Sequence, residues 1–262
     1  MKRIGTQADL TQFPEDVARF LAGAALYDSS CSKDARVTFI DRDGGLFLKT
    51  AAAGTLQAEA AMTAFYYRLG LSAEVLLYCS ERGTDYLITR RIPGEDCTDS
   101  VYLSDPKRLC DTTAALLRAL HETPPAACPL DRIPSYTAGV RRGLDGSRYE
   151  PELFAGLWEF TSFAEAETAA REGLLTLKAE ALIHGDYCLP NILLRDWRFS
   201  GFIDLGNGGI GDRHIDLLWG VWTLNFNLKT TAWTDRFLDA YGRDRVEPEK
   251  LRAVAAMEMI GS

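Results

Sequence analysis

Asp186 and Asn191 lie five residues apart in the run His184-Gly185-Asp186-Tyr187-Cys188-Leu189-Pro190-Asn191. A carboxylate and an amide at this spacing can divide two tasks: one accepts a hydroxyl proton, and the other offers oxygen to a hard divalent cation. The spacing equals that of the loop H-R-D-L-x-x-x-N, with Gly185 where that loop carries Arg. Downstream, Asp204-Leu205-Gly206 follows the apolar run Phe199-Ser200-Gly201-Phe202-Ile203. This run is similar to Asp-Phe-Gly, whose Asp holds Mg²⁺. Upstream, Lys49 closes a strand-like run and Glu59 comes ten residues later, inside a helical pattern. Such a Lys can reach nucleotide phosphates, and such a carboxylate can fix its long side chain. Each residue alone reads as a turn residue or a solvated charge, but together they form the ordered set that phosphoryl transfer from ATP requires. In that reading Asp186 is the base, Asn191 and Asp204 hold Mg²⁺, and Lys49 with Glu59 faces the phosphates.

Other chemistry is open to some of the same residues. His184-x-Asp186 and His214-x-Asp216 could hold zinc in a hydrolase. His121, at the end of a helical pattern, reads as structural. The six cysteines, at 31, 79, 97, 110, 128 and 188, contain no Cys-x-x-Cys pair and have irregular spacing, so reduced thiols are expected. Cys188 reads as a small buried filler. No Gly-rich phosphate loop is present. The polar stretch Ser29–Ser32 either supplies hydroxyls and backbone N–H groups to phosphates, with Ser30 the candidate, or is only a turn.

The elements that must position these residues follow from the patterning. Asp16 to Tyr27 has helical spacing behind Pro14. Residues 36–40 and 46–50 alternate as strands around the turn-rich Asp41-Arg42-Asp43-Gly44-Gly45. A helix is expected over 56–69 and two more strands over 74–79 and 86–91, joined by 80–85. Ile92-Pro93-Gly94-Glu95 breaks the pattern. The expected division is therefore a sheet-and-helix unit over 1–91 and a mainly helical unit over 92–262, an α+β fold. The second unit should hold helices over 105–121, 213–228, 232–241 and 248–260. A short strand at 181–183 should lead into the catalytic run, and a hairpin should span 192–203. Asp105 or Ser104 is available as a cap for the first of these helices. Residues 148–172 carry six Glu against two Arg, either a solvated face or a surface for cations.

The formal net charge of −8 argues against nucleic acid as a partner, because phosphate binding needs clustered Lys and Arg. No signal-like start and no membrane-length apolar run is visible, so a cytoplasmic protein without a membrane partner is expected.

Several segments together resemble the aminoglycoside 3′-phosphotransferases within the wider group of kinase-like phosphotransferases. They are Leu46–Lys49, Leu120-His121 with Cys128-Pro129, His184–Asn191, Phe199–Gly206, Asp212-Arg213 and Asp216. The resemblance implies a bilobal protein-kinase-like fold, with an antiparallel N-lobe sheet carrying one helix and a mainly helical C-lobe. It implies ATP with Mg²⁺, and transfer of the γ-phosphate to a hydroxyl of a cationic aminoglycoside, conferring resistance. Adenine would bind backbone groups near Thr89 to Pro93, Ile92 among them. Glu258, Glu150, Glu152 and Asp212 are the candidate substrate acids, and a monomer or weak dimer is expected. The chain departs from the family pattern in having Asn207 where Arg often follows Asp-Leu-Gly, and one acid near its end where the family usually has a pair. A kinase for another hydroxylated metabolite or antibiotic, and a non-catalytic pseudokinase, are the alternatives.

Overall fold

The computed structural model describes residues 4–30 and 35–261. The chain divides into two compact units, Met1–Gly94 with Ser200–Gly206, and Glu95–Phe199 with Asn207–Ser262.

The first unit contains β1 (Ile4–Thr6), α1 (Glu15–Leu21), β2 (Ala25–Asp28), β3 (Arg36–Asp41), β4 (Leu46–Ala52), α2 (Gln57–Arg68), β5 (Val75–Glu81) and β6 (Thr84–Arg90). Six strands form one sheet in the order β1-β2-β3-β4-β6-β5, antiparallel throughout. The helix expected over 16–27 stops at Leu21. Gly23 turns the chain with φ +73°, and Ala25–Asp28 pairs with β3 as a strand. The apolar residues there fit both periods, and pairing with a distant strand chose the extended form. The expected loop over 80–85 is shorter. Its ends belong to the strands, and Arg82 and Gly83, at φ 53° and 79°, make the two-residue turn that strand twist favours.

Strand alternation gives the sheet two apolar faces. Leu46, Leu48, Tyr86 and Ile88 pack with Val17 and Leu21 of α1, whereas Leu87 packs with Leu56 and Ala60 at the start of α2.

The second unit contains β7 (Glu95–Asp96), α3 (Ser100–Leu103), α4 (Pro106–Glu122), α5 (Ile133–Asp145), α6 (Phe163–Leu174), β8 (Ala181–Ile183) and β9 (Ile192–Arg195). β10 (Arg198–Phe202) starts there and carries the chain into the first unit, to which 200–206 belong. The second unit then continues with β11 (Gly209–Gly211), α7 (Arg213–Leu228), α8 (Thr234–Tyr241) and α9 (Pro248–Ile260). Asp105 caps α4 by accepting from the Arg108 N–H at 3.1 Å. The acidic segment 148–172 includes α6. There Ser162 caps the helix, and Glu165 turns back to accept the Thr161 N–H at 2.8 Å. No helix among the described residues is long and apolar enough to cross a membrane.

Candidate active site

In the first unit, Lys49 lies opposite Leu87 across the β4–β6 ladder, so the two side chains share a face. Its neighbours Leu46 and Leu48 point into the other core, which turns Lys49 toward α2. Glu59 is in the first turn of α2, and that turn is fixed from the sheet: Asp85 on β6 accepts the Leu56 N–H at 2.9 Å. Lys49 Nζ donates to Glu59 Oε1 and Oε2 at 2.9 and 2.8 Å and to Asp204 Oδ1 at 2.8 Å. Burial works against the ammonium charge, but the carboxylates of Asp204 and Glu59 outweigh it and raise the pKa of Lys49. Burial also raises the pKa of Glu59, against the pull of Lys49.

Asp204 has φ 56°, in the left-handed region, where an Asp is tolerated at some cost. The segment before it is anchored within the same unit. Phe202 donates its N–H to Leu71 O at 2.8 Å and accepts the Ser72 hydroxyl at 2.8 Å. Gly201 lies against Ile92, where a Cβ would come within 2.7 Å of Ile92 Cδ1.

In the second unit, β8 delivers His184 to the loop. Asn191 Nδ2 donates to Asp186 O at 3.0 Å and to Asp186 Oδ2 at 2.9 Å. With its nitrogen so used, the amide carbonyl is the group Asn191 can offer to a cation. His184 Nδ1 accepts the Asp186 N–H at 3.3 Å. Gly185 has φ +80°, and a Cβ there would lie 1.9 Å from Asn207 O, so both backbone and space demand glycine. The loop is clamped from α7: the fully buried Asp216 accepts the His184 and Gly185 N–H groups at 2.7 Å each.

The remaining expected residues are placed as follows. Thr89 is on β6, and the Ile92 side chain is buried, leaving backbone as its means of binding a ligand. The Ser30 hydroxyl accepts the Val37 N–H at 3.0 Å and so helps to close the β2–β3 connection. Cys31 to Asp34, the rest of that expected stretch, lie outside the described residues. Asp212, a candidate substrate acid, is engaged within the fold. It is fully buried, caps α7, and contacts His214 Nδ1 at 2.7 Å and Lys250 Nζ at 3.3 Å. Glu150 and Glu152 are exposed, with Glu150 3.6 Å from Arg148. Glu258 is half-buried beside Arg132 and Tyr136, and helps to hold the pKa of Tyr136, already pushed up by burial, well above the ordinary range. Arg132 also donates to Asn207 Oδ1 at 2.9 Å, so α5, an element the sequence reading did not assign, begins with a guanidinium at the position that departs from the family pattern.

The zinc alternative loses its ligands. His214 Nε2 accepts the Glu247 N–H at 3.0 Å while Nδ1 faces Asp212, and no group of three or more His, Cys, Asp or Glu among the described residues could hold a metal ion. Asp85, which fixes the first turn of α2, escaped the sequence reading because it has no local signal, whereas Asp216 was named there but not as the clamp on the loop.

Lys49, Glu59 and Asp204 of the first unit and Asp186 and Asn191 of the second are the groups expected of a kinase-like phosphotransferase acting on an alcohol group. Residues 29–254 match the model of the phosphotransferase enzyme family. A probable aminoglycoside 3′-phosphotransferase of Lactococcus lactis subsp. lactis (strain IL1403) is 42% identical over 254 residues, covering 97% of each chain. The crystal structure of an aminoglycoside-3′-phosphotransferase of type VIII superposes with a TM-score of 0.74 at 24% identity, covering 95% of each chain. An aminoglycoside phosphotransferase of Streptomyces rimosus, APH(3'')-Id in complex with ADP and streptomycin, gives 0.65 at 22% identity, covering 86% of this chain and 90% of that one. The chain belongs to the aminoglycoside phosphotransferase family.

Proposed function

We propose that this enzyme transfers the γ-phosphate of ATP to a hydroxyl of an aminoglycoside, of the 3′ type, and so confers resistance. The observation that carries the phosphoryl-transfer half is the clamp on Lys49, one cation held at 2.8 Å by both Glu59 and Asp204. A Lys fixed in this way meets phosphate oxygens without first losing rotamer freedom. The first unit is read as the nucleotide-binding lobe, with backbone groups of Thr89 to Pro93 receiving adenine, and the second as the catalytic and substrate lobe. Asp186 accepts the proton of the attacking hydroxyl as the new O–P bond forms and the bond from the γ-phosphorus to the bridging oxygen breaks, releasing ADP. Asp204 and Asn191 offer oxygen atoms, the donor type Mg²⁺ prefers, and half of the Asp204 side chain remains exposed. When bound, Mg²⁺ neutralises charge on the transferred phosphoryl group.

The aminoglycoside and the 3′ position rest on the relative of L. lactis, whose name carries both. Acids at Glu258, Glu150 and Glu152 suit a cationic amino sugar. The reading includes a cytoplasmic monomer or weak dimer acting on a small molecule, without nucleic acid or membrane partners.

The test is ATP consumption against a panel of aminoglycosides and other hydroxylated metabolites, with the product position read by NMR. Turnover confined to 3′-hydroxyl aminoglycosides is expected. Turnover only with other metabolites overturns the substrate, and unchanged KM in all of Glu258→Gln, Glu150→Gln and Glu152→Gln overturns their role. Asp186→Ala should cut kcat by about 10²–10⁴-fold while ATP binding persists. Retained turnover removes Asp186 as the base.

A further inference from the structure

Behind the catalytic loop lies a buried polar chain that the phosphoryl-transfer roles do not use. It joins α4, α7 and α8 through His121, Asp216 and Tyr241. Tyr241 is 1% exposed, and the side chains of His121 and Asp216 are fully buried. Tyr241 Oη lies 2.8 Å from His121 Nδ1, and His121 Nε2 lies 3.2 Å from Asp216 Oδ2. At its outer end, Arg213 Nη1 donates to Tyr241 Oη at 3.2 Å, while Arg213 Nε is held by Glu180 at 2.7 Å. Arg118 Nη1 donates to the Tyr241 carbonyl at 3.0 Å.

Hydrogen-bond arithmetic orders this chain. A guanidinium only donates, so Tyr241 Oη is the acceptor from Arg213. The single Tyr241 proton then has His121 Nδ1 as its partner, and Nδ1 is the bare nitrogen. The imidazole proton must sit on Nε2, facing Asp216. Asp216 also receives two backbone N–H groups, which only donate, so both of its oxygens act as acceptors. An imidazolium at His121 would direct a second donor at Tyr241 Oη, beside the one from Arg213, and take away the acceptor of the phenol proton.

We infer that Arg213, Tyr241 and His121 form a one-way donor relay that fixes the Asp216 carboxylate, and that His121 and Tyr241 are thereby positioning residues for the base Asp186. Asp216 sets the backbone N–H groups of His184 and Gly185, and the orientation of Gly185 sets where the next residue, Asp186, points. The relay ties three helices to the loop. Its tautomer claim stands by itself, while its catalytic consequence rests on Asp186 being the base.

Two readouts keep those claims apart. Nitrogen-15 NMR of histidine-labelled enzyme should show His121, assigned by its loss in His121→Gln, as the neutral tautomer protonated at Nε2. If that variant does not fold, the signal displaced in Tyr241→Phe gives the assignment. A His121 protonated at Nδ1, or an imidazolium at neutral pH, overturns the relay. In steady-state kinetics, His121→Leu should lower kcat by about 10–100-fold with the KM for ATP nearly unchanged. His121→Gln, whose amide N–H can replace the Nε2 donor, should restore most of the loss. Equal loss in both variants, or loss of thermal stability with kcat intact, overturns the positioning role. Wild-type protein that turns over no acceptor, with the tautomer as stated, would count against the proposed function and not against the relay.

Discussion

Asp216 Oδ1 accepts the backbone N–H of Gly185 at 2.7 Å, one residue before Asp186, while its other oxygen holds the N–H of His184. One side chain of α7 thus governs two consecutive peptide groups of the loop. Asp216→Asn keeps the shape but turns an NH₂ toward donors, leaving buried groups unpaired. Each such group costs about 1–3 kcal/mol, so a loss of about 2–5 kcal/mol is expected in denaturant unfolding, with turnover falling alongside. Native stability in this variant would show that the clamp is not needed.

Gly185 has no room for a side chain. Gly185→Ala places a methyl group 1.9 Å from Asn207 O on a backbone with φ +80°. Crowding costs about 1–3 kcal/mol, and the left-handed backbone adds about 1. Thermal unfolding should report the loss, and kcat should fall further than stability alone explains, because the displaced loop carries Asp186.

Lys49→Met removes the cation shared by Glu59 and Asp204 and leaves two carboxylates facing each other. The KM for ATP should rise, and kcat should drop on the order of 10²-fold. Glu59→Gln should be milder, since Lys49 keeps Asp204. The pair of steady-state measurements checks the order of the two effects.

Acid should weaken the fold in two separate windows. Burial, acting against the pull of Asp216, lowers the pKa of His121 below its ordinary 6.5. The unfolded chain therefore binds a proton that the folded chain refuses, and stability falls as pH drops below about 6.5. Asp212 shifts in the same direction for a different reason. Burial raises its pKa, but His214 and Lys250 hold it below 3.8, so its contribution persists to lower pH and is lost as the folded group protonates. Unfolding free energy measured between pH 8 and 5 should fall toward acid in the wild type and flatten in His121→Gln.

Much of the site was legible in local spacing. Lys49, Glu59, Asp186, Asn191 and Asp204 occupy positions that a short motif or one predicted element can specify, and the Asp105 cap was likewise readable beside Pro106. Other features depend on residues far apart in the chain. The Ser30 hydroxyl is met by the Val37 N–H, and α1 was cut short because β2 found β3.

The sequence by itself determined the kind of chemistry, because phosphoryl transfer needs particular functional groups in a particular order and these are written in residue types. Only the tertiary structure decided which acids remain available. Asp212 and Glu258 look alike in sequence, yet one is buried against His214 and Lys250 and the other is half-buried beside Arg132 and Tyr136. It also decided that Ser200–Gly206 belongs with the first unit, and that His121 stands behind the loop rather than idle at a helix end. Burial and hydrogen-bond partners are set by contacts across long sequence separations, and local periodicity carries no information about them.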